Sequence, residues 1–157
     1  MTTVTQHLWF AKDMRAALET YVSLVPGSAI LWTTPIPEDT PSGPAGSVQI
    51  AAFRLGDQRY MAIEAGHLDP FNHAFSILVS CDTQEEIDRM WAVLGEGGSY
   101  EQCGWLRDRW GLSWQITASC MGELMMGPDP AVAKRVTSAM LQMKKIDIAG
   151  LRQAAAG

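Results

Sequence analysis

HAFSILVSCDTQEEIDRMWAVLGEGG, residues 73–98, reads as one strand followed by one helix. Residues 73–81 are apolar and compact enough for a strand. Asp82-Thr83, followed by Glu85 and Glu86, is a helix-start signature, with a hydroxyl to accept from the first turn and carboxylates where the helix dipole favours them. Ile87, Met90, Trp91 and Leu94 then recur at the helical period and line one face, before GEGG at 95–98 stops the run.

The same order of events opens the chain. VTQHLWF (4–10) reads as a strand, and KDMRAALETYVSLVPG spaces Met14, Ala17, Leu18, Tyr21, Val22 and Val25 for a helix that Pro26-Gly27 ends. SAILWTT (28–34) is a second strand. Residues 35–46, PIPEDTPSGPAG, concentrate four prolines and two glycines into a loop. Strands follow at 47–55 and 59–65, joined by the hairpin signal Gly56-Asp57-Gln58. After the second helix, residues 99–118 supply two or three short strands with a turn around Asp108 to Gly111. The chain is therefore an α+β protein built from a duplicated βαβββ module. Residues 120–126 and 130–156 read as helices parted by Pro128 and Pro130. Their apolar surface calls for a groove or a second subunit.

The chain has 157 residues, 47% of them hydrophobic, which suffices for a core without covalent staples. A net charge of -5, with no basic run longer than Lys144-Lys145, speaks against nucleic acid as a partner. The three cysteines, Cys81, Cys103 and Cys120, are odd in number and lack CxxC spacing. They fit a reducing cytoplasm better than a disulfide framework or a thiolate zinc site. No apolar stretch approaches the roughly twenty residues that a membrane-spanning helix needs, and the N-terminus lacks a signal-type run. A soluble, unprocessed cytoplasmic protein is expected.

Three tryptophans fall in QCGWLRDRWGLSWQI, residues 102–116. Strand alternation puts Leu112, Trp114 and Ile116 on one face and Ser113, Gln115 and Thr117 on the other. Trp114 is thus expected in a helix-packed core, opposite Gln115. Trp105 and Trp110, near the turn, edge either a cleft, a dimer seam or the core. Arg107, Asp108 and Arg109 at the same turn form either a solvated, salt-bridged bend or a rim for an anionic substrate. Cys103 is read as a packed thiol.

Together with the duplicated order, the segments HLWF, YVSLVPGS, GPAGSV, FNHAFS, CGWLRDRWGLSWQI and MLQMKKIDIAGL resemble the PhnB-like branch of the vicinal oxygen chelate superfamily, also called the glyoxalase/bleomycin resistance/dioxygenase group. The resemblance covers nearly the whole chain. It implies a single domain over residues 1–157: module one at 1–66, module two at 73–118 and a helical tail at 119–157. Each module would curl into a half-barrel, the two forming a cleft often completed in a homodimer. The branch also carries the label 3-demethylubiquinone-9 3-methyltransferase-like, yet no glycine-rich loop after a strand is present to hold a nucleotide cofactor.

Metal-dependent members of that superfamily take ligands from the first and last strands of each module. Carried over, the resemblance implies His7 (or Gln6, one residue out of register), Glu64, His73 and Gln115. Imidazole, carboxylate and amide donors suit one Zn, Ni, Mn or Fe(II) ion, with two positions left for a bidentate oxygen substrate. Glu64 would then also move a proton. Trp9 shares a face with His7, Tyr60 with Glu64 and Phe75 with His73. Together with Trp110, they would line an apolar site for a small oxygen-bearing molecule. A metal-free cleft that sequesters such a molecule is the alternative, and a methyltransferase is a third reading.

Overall fold

The computed structural model describes residues 1–66 and 69–157. It divides into two compact units, Met1–Pro70 and Phe71–Gly157.

In the first unit, β1 (Gln6–Phe10), α1 (Met14–Leu24), β2 (Ala29–Pro35), β3 (Gln49–Leu55) and β4 (Gln58–Glu64) give a four-stranded sheet of order β1-β4-β3-β2. β1 runs parallel to β4, and the other pairs are antiparallel. One face of the sheet buries Leu8, Phe10, Ala51, Phe53, Tyr60 and Ala62, and α1 buries Met14, Ala17, Leu18, Tyr21 and Leu24. The proline-rich loop is tied to itself. Ile36 donates to Val48 O, Gly46 to Ile36 O and Ala45 to the Asp39 carboxylate.

The second unit repeats the plan. β5 (Ser76–Cys81), α2 (Gln84–Gly95), β6 (Ser99–Tyr100), β7 (Trp105–Arg107) and β8 (Ser113–Ala118) give the order β5-β8-β7-β6, again with the first strand parallel to the last. The duplication expected from the sequence is therefore present, and both sheets are open. The α2 start is a full capping box: Glu86 N–H donates to Thr83 Oγ1 at 3.2 Å, and Thr83 N–H donates to Glu86 Oε2 at 3.1 Å. Gly98 lies so close to β7 that a Cβ there would collide with the Arg107 carbonyl, so the α2–β6 connection tolerates only glycine.

The strand expected at 73–81 starts three residues later. Asn72 Oδ1 accepts from Ala74 N–H, and Asn72 O accepts from Phe75 N–H, so residues 72–75 form a turn before β5.

The single tail helix expected at 130–156 is two helices, α4 (Pro130–Leu141) and α5 (Ile148–Ala156), after a short α3 (Met121–Met126). The tail belongs to the second unit rather than standing apart. Cys103 and Gly104 donate to Met143 O and Lys144 O, and the Gln84 amide both donates to Ile146 O and accepts from Ile148 N–H. Val136, Ile146 and Leu151 are fully buried there. Lys145 reaches Asp88 at 2.6 Å, a hydrogen bond that holds that exposed carboxyl below the usual range. No helix among the described residues is long and apolar enough to cross a membrane.

Candidate functional site

Each sheet turns one face to its helix and leaves the other open, and the registers say which residues lie where. Paired residues share a face. In the first sheet the pairs Leu8/Ala62 and Phe10/Glu64 belong to the helix face, whereas His7/Met61 and Trp9/Ile63 belong to the open face. Glu64 therefore points away from His7. Its carboxylate accepts the Met14 N–H at 2.7 Å, capping α1 across fifty residues of chain. That role is needed because Asp13, in the left-handed region at φ 59°, makes no side-chain cap of its own.

Tyr60 shares Glu64's face, as alternation requires, but that face is the helix side. Its ring stacks on Phe53 at 5.1 Å, and burial pushes its phenol above the usual range. It is a core residue that also touches the wall of a small cavity of about 220 Å³ beside Trp32, Ala52 and Met61. Trp9 does lie on the open face, with its indole N–H buried and unpartnered.

In the second sheet Ile77/Trp114, Val79/Ile116 and Cys81/Ala118 face the helix, and Ser76/Ser113, Leu78/Gln115 and Ser80/Thr117 face the open side. Trp105 and Arg107 of β7 pair with Gln115 and Ser113 and extend the open face. Trp114 is buried, as its alternation predicts, and its indole donates to Asp108 Oδ2 at 2.9 Å. Ile77 joins it in the core, and Phe75, expected to line a site, sits in the turn before β5 with 40% exposure.

His73 also precedes β5. Counting back three from the strand ends, Phe10 in β1 and Cys81 in β5, the position corresponding to His7 is Leu78. His73 instead leans on Trp105 (ring centroids 6.0 Å apart) and is held between two partners. Its Nδ1 lies 3.2 Å from Arg107 Nη2, and its Nε2 lies 2.8 Å from Glu101 Oε2. A guanidinium only donates, so Nδ1 accepts and Nε2 carries the proton given to Glu101. Neither ring nitrogen is left with a lone pair for a metal.

Gln115 donates to Ser76 Oγ at 2.9 Å. The four residues thus do not fit a resident metal. Glu64 is spent on a helix N-terminus, and both His73 nitrogens are engaged. No group of three His, Cys, Asp or Glu among the described residues could hold an ion.

The turn at 108–111 resolves into separate tasks. Asp108, 3% exposed, accepts from Trp110 N–H, Leu112 N–H and the Trp114 indole, and so organises the hairpin. The Arg109 guanidinium lies 4.6 Å from the Trp110 ring centre. Trp110 is accordingly a turn residue, outside the open-face rows. All three cysteines are free, and burial, helped by Glu86 and Asp82, pushes the Cys81 thiol up to about 11.

A cavity of about 450 Å³ opens on this face, walled by Leu78, Trp105, Gln115 and Thr117 from the sheet, and by Met121 and Met140 from the tail. The sequence expectation named Gln115 but not Leu78, Met121 or Met140; alternation puts Leu78 on the face opposite Ile77, and the methionines of 121–126 and 140 were the signal for the tail's share of the wall.

The comparisons with known proteins agree with this architecture. The model of the 3-demethylubiquinone-9 3-methyltransferase family matches residues 2–117. No curated protein matches the chain. Among solved structures, a PhnB protein from Bacillus cereus, described as a 3-demethylubiquinone-9 3-methyltransferase, is 32% identical over 75% of this chain and 100% of its own, with a TM-score of 0.67. A protein from Pseudomonas aeruginosa is 22% identical over 75% of this chain and 98% of its own, at 0.61. The fosfomycin resistance protein FosX from Mesorhizobium loti, 12% identical over 78% of this chain and 94% of its own, shares the fold at 0.53. The chain thus belongs to the PhnB-like, 3-demethylubiquinone-9 3-methyltransferase family.

Proposed function

We propose that the protein binds a small, largely apolar, oxygen-bearing molecule on the open face of its second sheet, and that binding requires no metal held by His7, Glu64, His73 and Gln115. One observation carries this reading: a cavity of about 450 Å³ opens on that face, between the sheet and the tail helices. The helix faces, by contrast, are closed by internal contacts such as Trp114 to Asp108.

The composition of the cavity supports the same reading, with Leu78, Trp105, Met121 and Met140 around Gln115 and Thr117. Met121 and Met140 lie beyond residue 117, where the family match ends, so the choice of molecule rests partly on this chain's own tail. The methyltransferase label finds no support in the two strand-to-helix turns, 11–13 and 82–83, which contain no glycine. Assembly as a homodimer belongs to the proposal, supported by exposed Leu31 and Trp32 on edge strand β2 and Leu78 on edge strand β5. A cytoplasmic setting is supported by the three free cysteines.

Calorimetric titration of chelator-treated protein with short-chain benzoquinones, naphthalene derivatives and S-adenosylmethionine tests the reading. Micromolar binding of an aromatic compound, unchanged by Zn, Ni, Mn or Fe(II) and lost in Trp105→Ala, is expected. Binding that appears only after metal is added would overturn it.

A further inference from the structure

Two rows of the second sheet wall its open-face cavity. The first is Leu78, Gln115 and Trp105 across β5, β8 and β7; the second is Ser80 and Thr117 across β5 and β8, with Cys103 of the preceding loop in the same wall. Rows are two residues apart along a strand, or about 7 Å, and the first row spans two strand spacings, or about 10 Å. That width suits a bicyclic ring. Met121 and Met140 add thioethers from the tail. Among the described residues, none that lines the cavity is an Asp, Glu, Lys, Arg or His.

The polar groups in this wall are neutral and open to a ligand. One end of the Gln115 amide is held by Ser76 Oγ at 2.9 Å, and the other end is free. The Ser80 and Thr117 hydroxyls have no hydrogen-bond partner among the described residues. An amide and a hydroxyl each offer both a donor and an acceptor, so a ligand that also carries both is matched without bringing charge. An ionised ligand would shed part of its hydration here and meet no counter-charge in the wall, which is costly. Arg107 stands one row away and is held against His73, outside the wall.

We infer that the ligand of this cavity is an uncharged aromatic molecule bearing a hydrogen-bond donor and an acceptor, such as an aromatic amide or alcohol, with its ring against Trp105 and Leu78 and its polar group on Gln115 and Thr117. The wall disfavours organic acids and amines alike. This rests on the small-molecule reading above and assigns that site its ligand class, with Gln115 and Thr117 as the residues that determine specificity.

The test titrates the full chain near neutral pH, by calorimetry, with three compounds that share a naphthalene body: 1-naphthamide, the anion 1-naphthoate and the cation 1-naphthylmethylammonium. Wild type is expected to bind the amide at least tenfold more tightly than either ion. Gln115→Leu and the isosteric Thr117→Val, which keeps a β-branched residue in the strand, should each weaken the amide severalfold and leave the ions unchanged. Ser80→Lys, at an exposed position, puts a cation in the wall and should improve the acid severalfold. The amide should also slow iodoacetamide alkylation of Cys103 and not of Cys120, read by peptide mass spectrometry. Binding of either ion as tightly as the amide by wild type overturns the inference, and so does amide binding that neither Gln115→Leu nor Thr117→Val weakens. If the binding seen is then lost in Trp105→Ala, the small-molecule reading stands. Failure of all three compounds to bind overturns the two together.

Discussion

Replacing Glu64 with alanine removes the acceptor that closes the first turn of α1. The bond it makes, 2.7 Å from Met14 N–H, is part-buried and joins a carboxylate to a helix N-terminus, where the dipole adds to the hydrogen bond. Losing such a cap costs about 1–2 kcal/mol. Asp13 cannot substitute, because its left-handed backbone makes no side-chain cap. At about 2.1 cal/mol/K of unfolding entropy per residue, the 157-residue chain melting as one unit has about 0.33 kcal/mol/K. The melting temperature should therefore fall by about 3–6 °C, and by about half as much in Glu64→Gln, which keeps an acceptor oxygen but not the charge. Differential scanning calorimetry in chelator, with and without added divalent metal, reads this directly. An unchanged melting temperature in Glu64→Ala would refute the capping role. So would a loss that appears only when metal is present, and that result would return Glu64 to a ligand set.

Two further outcomes follow from buried groups. Asp108→Ala leaves the N–H groups of Trp110, Leu112 and the Trp114 indole without their acceptor in a buried hairpin, at a cost of about 3–5 kcal/mol. Urea unfolding followed by tryptophan fluorescence should show it, and a loss below 1 kcal/mol would count against the assigned role. High pH should also destabilise the fold. The Cys81 thiol is raised to about 11 from an ordinary 9, so between these values the folded chain holds a proton that the unfolded chain has released. Stability then falls as pH rises through that window, and the raised Tyr60 phenol extends the loss in the same direction. The melting temperature of Cys81→Ala should decline less steeply above pH 9 than that of wild type.

Local periodicity determined much of this protein. The paired βαβββ order, the Thr83–Glu86 capping box and the opposition of Trp114 to Gln115 all depend on residues within a few positions of each other, and all are present. Alternation also tied Tyr60 to Glu64 and Trp9 to His7 correctly. It could not say which of the two faces meets the helix, because period two fixes which residues stand together and not what they stand against. Only the packing of α1 decided that Glu64 caps a helix on the side opposite His7. Only pairing across 28 and 34 residues gave both His73 nitrogens their partners. Only long-range contacts, such as the Gln84 amide on Ile146 and Ile148 and the Cys103 and Gly104 N–H groups on Met143 O and Lys144 O, seated the tail on its own unit, where Met121 and Met140 wall a cavity. The burial of the Arg107 Nε–H belongs to the same class. A sequence shows that a charge exists, whereas how far each of its atoms is withdrawn from water arises from three-dimensional neighbours.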